Sequence, residues 1–288
     1  MTGVRDELRG RNRRGERIRL WDSEIVRVAT PTPSTVRVTL GGEDLAGFGD
    51  GELPADAIKL ALPAAPGESP RFRMTPQGPV PEGPRPAFRP YTVRRSDSGA
   101  RTLDLDVVLH GDGPGVRWAR TARAGQRVQF FGPRSEFWAC PDVDAHVLVG
   151  DATAVPGALA VLESLPGAEA VALLQVDGAA EESSDDPRIH WQHGGDLLSG
   201  LSGTALPRGR VQAWVAGEAG LVRDVRRHLL GERGVDRADL QATGYWRLGM
   251  TVTETDAARL AAVAEAERSG TPVPDHHDVD LADLEPAR

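Results

Sequence analysis

A single cysteine, Cys140, in 288 residues leaves no intrachain disulfide and no cysteine metal cluster. Lysine is as scarce. Lys59 is the only one, and every other basic residue among the 34 Lys and Arg is arginine. A GC-rich coding sequence accounts for most of that bias. Yet a compact ammonium does not replace a guanidinium fork, so the one lysine is a candidate for a specific task. No apolar run approaches membrane-spanning length, which argues against membrane insertion. The N-terminal MTGVRDELRGRNRRGERIRL lacks the apolar core of a secretory signal, so the expected location is cytoplasmic. The net charge of −8 argues against generic nucleic-acid binding. It leaves room for a local basic pocket, because the lining of a site sets its sign. There is no H-E-x-x-H and no G-x-S-x-G, and His276 and His277 lie in an acidic tail without a scaffold. Neither a metal site nor hydrolytic covalent catalysis is expected.

What is present suggests two domains. Residues 1–20 read as a flexible arm. From Trp21 the texture is β: SEIVRVATPTP, STVRVTL and DAIKLALP alternate apolar and polar residues between Pro and Gly turns. Residues 63–90 are rich in Pro and Gly without periodicity, which predicts a long loop or lid. Strand texture resumes in RPYTVRR, TLDLDVVLH and QRVQFFGP, so residues 21–141 read as a small antiparallel barrel. Beyond, the apolar runs HVLVGD, AVALLQV and VQAWVAGE alternate with the helical spacing of ATAVPGALAVLESLPG and AGLVRDVRRHLLGERG. That alternation predicts an α/β domain with a parallel sheet over residues 142–268, closed by a helix in TDAARLAAVAEAERSG. Residues 269–288 read as an acidic, disordered tail.

Several stretches can carry chemistry. FRPYTVRR (residues 88–95) holds one of only two tyrosines between three arginines. HGDGPGVRWA (His110–Ala119) follows a strand and opens a helix, but Val116 stands where G-x-G-x-x-G needs its third glycine. Its glycines still allow close backbone approach, and a helix N-terminus offers N–H groups to a phosphate; a tight strand-to-helix turn uses the same residues. GDATAVPG (Gly150–Gly157) and Gly217–Glu218 end two strands of the α/β domain, where ligands bind in open parallel sheets. Ordinary strand-to-helix turns look alike. GYWRLG (Gly244–Gly249) sets Arg247 beside Tyr245 and Trp246, which suggests either a core strand or an anionic or stacked ligand.

Taken in order, DAIKLALP, RPYTVR, VVLHGDGPGVRWA, FGPRSEF, GDATAVP, WVAGE and GYWRLG resemble the siderophore-interacting protein family, from about Trp21 to Met250. The family comprises FAD-containing ferric-siderophore reductases of the ferredoxin-reductase-like group. The resemblance implies an antiparallel FAD-binding β-barrel followed by an α/β domain for NAD(P)H. It implies that Arg89, Pro90, Tyr91 and Thr92 cradle the flavin, with Tyr91 stacked on the isoalloxazine, Arg89 on the pyrophosphate and Thr92 near N5. His110, Gly111, Gly113, Gly115, Val116 and Trp118 would line the adenine and phosphate side. Asp151, Thr153, Ala154, Gly217 and Glu218 would line the nicotinamide crevice, and Trp246 joins the cofactor-binding set. Lys59, Arg134 and Arg247 would form a basic pocket that recruits an anionic ferric siderophore.

The implied reaction takes electrons from NADH or NADPH, or from ferredoxin, through FAD to Fe(III), in a protein expected to be monomeric. Two positions depart from the family pattern. Val116 stands where a small hydroxyl residue is usual, and Ala152 where Glu is usual. They motivate an alternative, a flavoenzyme of this fold acting on a small natural product. A flavin-free siderophore carrier is a third reading, opposed by intact Arg89, Tyr91 and Thr92.

Overall fold

The computed structural model describes residues 3–13, 19–48, 54–63, 69–75, 78–84, 86–250 and 268–269. Apart from those last two residues, the predicted final helix and the acidic tail lie outside the described residues.

The chain opens with a helix, α1 (Val4–Arg13), where a flexible arm was expected. Only Val4 and Leu8 are apolar on it, four residues apart and therefore on one face. They are 0% and 2% exposed, packed against Cys140. Asn12 fastens the helix further: its Nδ2 donates to Ser135 O at 3.0 Å, and its Oδ1 accepts from Ser135 N at 2.9 Å. The helix is held by contacts more than a hundred residues away, which local composition does not reveal.

A closed barrel follows, built from β1 (Arg19–Thr32), β2 (Thr35–Gly41), β3 (Ala57–Leu62), β6 (Ala87–Asp97), β7 (Thr102–Val108) and β8 (Arg127–Arg134). Its strands run antiparallel in the order β1-β2-β7-β6-β3-β8. Period-two alternation sends one set of side chains inward. Val36, Val38 and Leu40 meet Ile58, Leu60 and Leu62, then Leu103, Leu105 and Val107. Trp21, Phe48 and Phe130 add an aromatic cluster with centroids 5.0 to 6.3 Å apart. The short helix α2 (Pro114–Thr121) packs Trp118 and Ala119 into the same core.

The long loop expected over 63–90 is in part a hairpin, β4 (Arg71–Thr75) with β5 (Gly78–Glu82). Pro79 and Pro81 pair with Met74 and Phe72. Two residues apart, they direct their nitrogens to the same side of the strand, and proline is tolerated where that side faces away from the partner.

The second unit is a five-stranded sheet of β9 (Ala145–Gly150), β10 (Ala170–Val176), β11 (Ile189–His193), β12 (Val211–Glu218) and β13 (Leu240–Trp246). All neighbouring strands are parallel, in the order β11-β10-β9-β12-β13. Helix α3 (Val155–Ser164) covers one face, while α4 (Leu197–Gly203) and α5 (Ala219–Gly231) cover the other. β9 is therefore buried on both sides along its whole length. The chain steps outward from β9 to β11, then returns to β12 on the far side of β9. That reversal leaves a crevice beyond the ends of β9 and β12. The two units are clamped by Arg94 of β6, whose guanidinium makes a bidentate pair with Glu163 of α3 at 2.8 and 2.5 Å. No helix among the described residues is long and apolar enough to cross a membrane.

Candidate functional site

Three adjacent strands bring distant residues onto one face. In β3, Lys59 lies between Pro90 of β6 and Phe131 of β8. Two residues earlier, Ala57 lies between Thr92 and Arg134. Directly paired residues share a face, so Lys59, Pro90, Thr92 and Arg134 all project away from the barrel core. The hairpin reaches the same face. Phe72 lies 6.1 Å from Phe88 and 5.7 Å from Phe131, and Lys59 Nζ is 5.9 Å from the Phe88 ring.

The alternate residues of β6 turn the other way. Arg89 is 8% exposed and donates to Phe88 O at 2.7 Å. The Tyr91 ring packs against the barrel core, and its hydroxyl rests on α2: a Cβ added at Gly115 would lie 2.0 Å from Tyr91 Oη. Burial pushes the Tyr91 phenol above its ordinary range, so it stays neutral, while the Arg89 charge pulls the other way. The N-cap of α2 is Gly113, followed by Pro114, and no side chain caps the helix. A buried guanidinium suits a diphosphate, as does an uncapped helix N-terminus, and the aromatic ring against Gly115 suits a flat heterocycle. These residues fit FAD.

The crevice side is organised by Asp151. Its Oδ1 accepts from Thr153 N at 2.8 Å and Thr153 Oγ1 at 2.6 Å. Its Oδ2 accepts from Glu218 N at 2.7 Å and Trp246 Nε1 at 2.9 Å. Gly217 makes room for it: the residue has φ of 138°, and a Cβ there would lie 2.7 Å from the carboxylate. Glu218 is equally engaged, accepting from Leu221 N at 2.9 Å as the cap of α5 and from Leu248 N at 3.1 Å. The His110 ring lies 5.2 Å from that of Trp246, linking the barrel to this corner. Burial lowers the His110 pKa, with nearby Asp151 opposing, so the imidazole is neutral at pH 7.

Two residues that sequence reasoning left without a role join the halves. Tyr245 lies close to Thr92 across the domain junction, and burial, followed by the Glu136 carboxylate, raises its pKa. Glu136, 1% exposed, accepts from Arg134 Nε at 2.7 Å. Its backbone oxygen accepts from Gln241 Nε2 at 2.8 Å. The R-x-E spacing at the end of an extended segment was the available signal for the Arg134–Glu136 pair. Val116, Trp118 and Ala154 are buried, the latter two inside the hydrophobic clusters. Arg247 follows β13, beside Trp246. Among the described residues no group of three or more His, Cys, Asp or Glu could hold a metal ion.

The comparisons agree with this division. Residues 24–137 match the siderophore-interacting FAD-binding domain, and residues 143–249 match the siderophore-interacting protein domain. The ferric vibriobactin reductase ViuB of Vibrio cholerae is 31% identical over 247 residues, 78% of this chain and 89% of the relative. The chain belongs to the siderophore-interacting protein family. Another relative, the NADPH-dependent ferric-chelate reductase of Escherichia coli, is 28% identical over 80% of this chain and 93% of its own length. Among solved structures, a siderophore utilization protein from T. fusca superposes with a TM-score of 0.67 and 36% identity, over 81% of this chain and 95% of that one. As in the family's name for the first domain, the barrel is the FAD-binding unit.

Proposed function

We propose that this chain is a cytoplasmic ferric-siderophore reductase that takes electrons from NADH or NADPH and releases Fe(II). The observation that carries it is the shared outer face of β6, β3 and β8, where Lys59 and Arg134 flank Thr92, while Arg89 is buried on the opposite face of β6. When bound, FAD supplies the conversion of a two-electron hydride donor into single electrons for iron. The chain's own residues bind and orient. Arg89 and the start of α2 hold the diphosphate, Tyr91 offers its ring to the flavin, and Thr92 offers a hydroxyl close to Tyr245. Lys59, Arg134 and Arg247 attract an anionic iron chelate to the exposed edge. Glu136 aims the Arg134 fork and offsets part of its charge. Hard oxygen ligands hold Fe(III) far better than Fe(II), so one electron loosens the chelate. Asp151 and Glu218 shape the donor crevice through the backbone rather than by touching the nucleotide, since their oxygens are already engaged.

The test is anaerobic mixing of purified, flavin-loaded protein with NADH or NADPH, a ferric siderophore and an Fe(II) chelator. Flavin bleaching and an Fe(II) signal are expected. A protein that shows neither with any donor is not this enzyme. Sedimentation at working concentration checks the companion expectation of a monomer.

A further inference from the structure

A second opening lies where the barrel meets the α/β unit, beyond the ends of β9 and β10. It is a shallow cleft open to solvent, whose walls include Thr32, Ser34, Asp106, Ala152, Asp177 and Glu181. Its position follows from topology: Asp177 is the first residue past β10, the second strand of a parallel sheet that reverses beside its first. In such sheets a carboxylate at that strand end accepts from the vicinal hydroxyls of a nucleotide ribose.

The lining is acidic and hydroxylic. Glu181 accepts from Ser34 Oγ at 2.6 Å, which ties the barrel turn to the α/β unit. Burial pushes the Glu181 carboxyl up, but the neighbouring Ser34 and Thr32 hydroxyls prevail and keep it ionised. Thr32 is 6% exposed, and its Oγ1 has no hydrogen-bond partner of normal geometry. Asp177 is exposed and makes no hydrogen bond or ion pair among the described residues. Asp106 is neutralised by Arg37, through bonds of 2.6 and 2.6 Å that occupy one edge of that guanidinium. His193 ends β11 in register with Val176, but Glu182 holds its Nε2 at 2.6 Å. No lysine, arginine or histidine lines the cleft among the described residues.

We propose that this cleft receives the adenosine ribose of NADH, and that Asp177 makes the chain discriminate against NADPH. This rests on the donor side of the function proposed above. A ribose diol brings two donors to an unpartnered carboxylate. A 2′-phosphate brings negative charge to Asp177 and Glu181 with no cation to meet it. Like charges about 5 Å apart at an effective dielectric near 20 correspond to a penalty on the order of 100-fold.

Calorimetric titration of the flavin-loaded protein with AMP and with adenosine 2′,5′-bisphosphate tests the site without turnover. AMP should bind tighter by on the order of 100-fold, and anaerobic flavin bleaching should favour NADH over NADPH in the same direction. Asp177→Ser, at an exposed position, should fold normally by circular dichroism and shrink both ratios about tenfold or more. Equal binding of the two fragments, a preference for NADPH, or unchanged ratios in Asp177→Ser would overturn the proposal. So would a flavin that neither nucleotide bleaches. If that protein, reduced with dithionite, still yields Fe(II) from a ferric siderophore, the reductase reading stands and the donor assignment alone falls.

Discussion

Asp151 holds four donors on two oxygens, and replacing it with asparagine tests whether it is a structural hub. The amide can turn in two ways. With its nitrogen toward Glu218 N and Trp246 Nε1, it sets donor against donor twice. With its nitrogen toward Thr153, the hydroxyl can rotate to accept, and only Thr153 N loses its partner. The second orientation is cheaper. It loses one charge-assisted bond, worth about 1.5–3 kcal/mol, and reduces two others to neutral strength. The expected cost of Asp151→Asn is about 3 kcal/mol, a large share of the roughly 5–15 kcal/mol that stabilises a domain. For a urea slope of about 1–3 kcal/mol/M, the midpoint should fall by on the order of 1 M. Urea titrations of flavin-free wild type and variant, followed by tryptophan fluorescence and circular dichroism, measure it. Trp246 reports locally, because its Nε1 is one of the four donors. Coincident midpoints for the two proteins would refute the reasoning and return Asp151 to a role in nucleotide contact.

Gly115→Ala should cost about 1–3 kcal/mol by overpacking, because its Cβ would lie 2.0 Å from Tyr91 Oη. The displaced phenol should lower the FAD retained through gel filtration, read as the visible-to-ultraviolet absorbance ratio; full retention would contradict the cradle. Lys59→Gln should raise KM for an anionic ferric chelate about tenfold at low salt, with kcat little changed and the difference shrinking as ionic strength rises. A fall in kcat at unchanged KM would contradict a recruiting role. Arg94, followed by opposing burial, holds the Glu163 carboxyl below its ordinary value of 4.5. A depressed acid stabilises the fold in full above that value and loses the contribution as pH falls through its folded pKa. Glu163 is 49% exposed, so the effect is about 1 kcal/mol at most. Glu163→Gln should therefore be less stable near neutrality and should flatten the acid limb of a stability–pH curve; parallel curves would argue against the clamp.

Much of the fold was legible because its signals are local. The inward alternation of TVRVTL and TLDLDVV marks barrel strands, and the fully apolar AHVLVG marks a strand covered on both faces. Elements with weak local signals escaped. Two apolar residues define the buried face of α1, and β11 carries His190, Gln192 and His193 at the sheet edge. The hairpin of 71–82 was hidden by prolines that are harmless only in its particular register.

The candidate site divides in the same way. Residue order alone singled out the stretches around Arg89, Gly113, Asp151 and Gly217 as candidates, the last three because turns after strands need glycine and small polar residues wherever they occur. It could not tell which side chains were already committed. Asp151 and Glu218 looked like ligands and are engaged in caps and bridges; Arg134, expected in the basic pocket, pairs with Glu136. By itself the sequence determined the two-unit architecture and marked the strand ends as candidates for chemistry, since periodicity and turn residues act over a few positions. Only the tertiary structure decided that Lys59, Thr92 and Arg134 share one face, and that Asp177 and Glu181 meet Ser34 in one cleft. Strand register and domain packing set those meetings across scores of residues, and no local pattern encodes them.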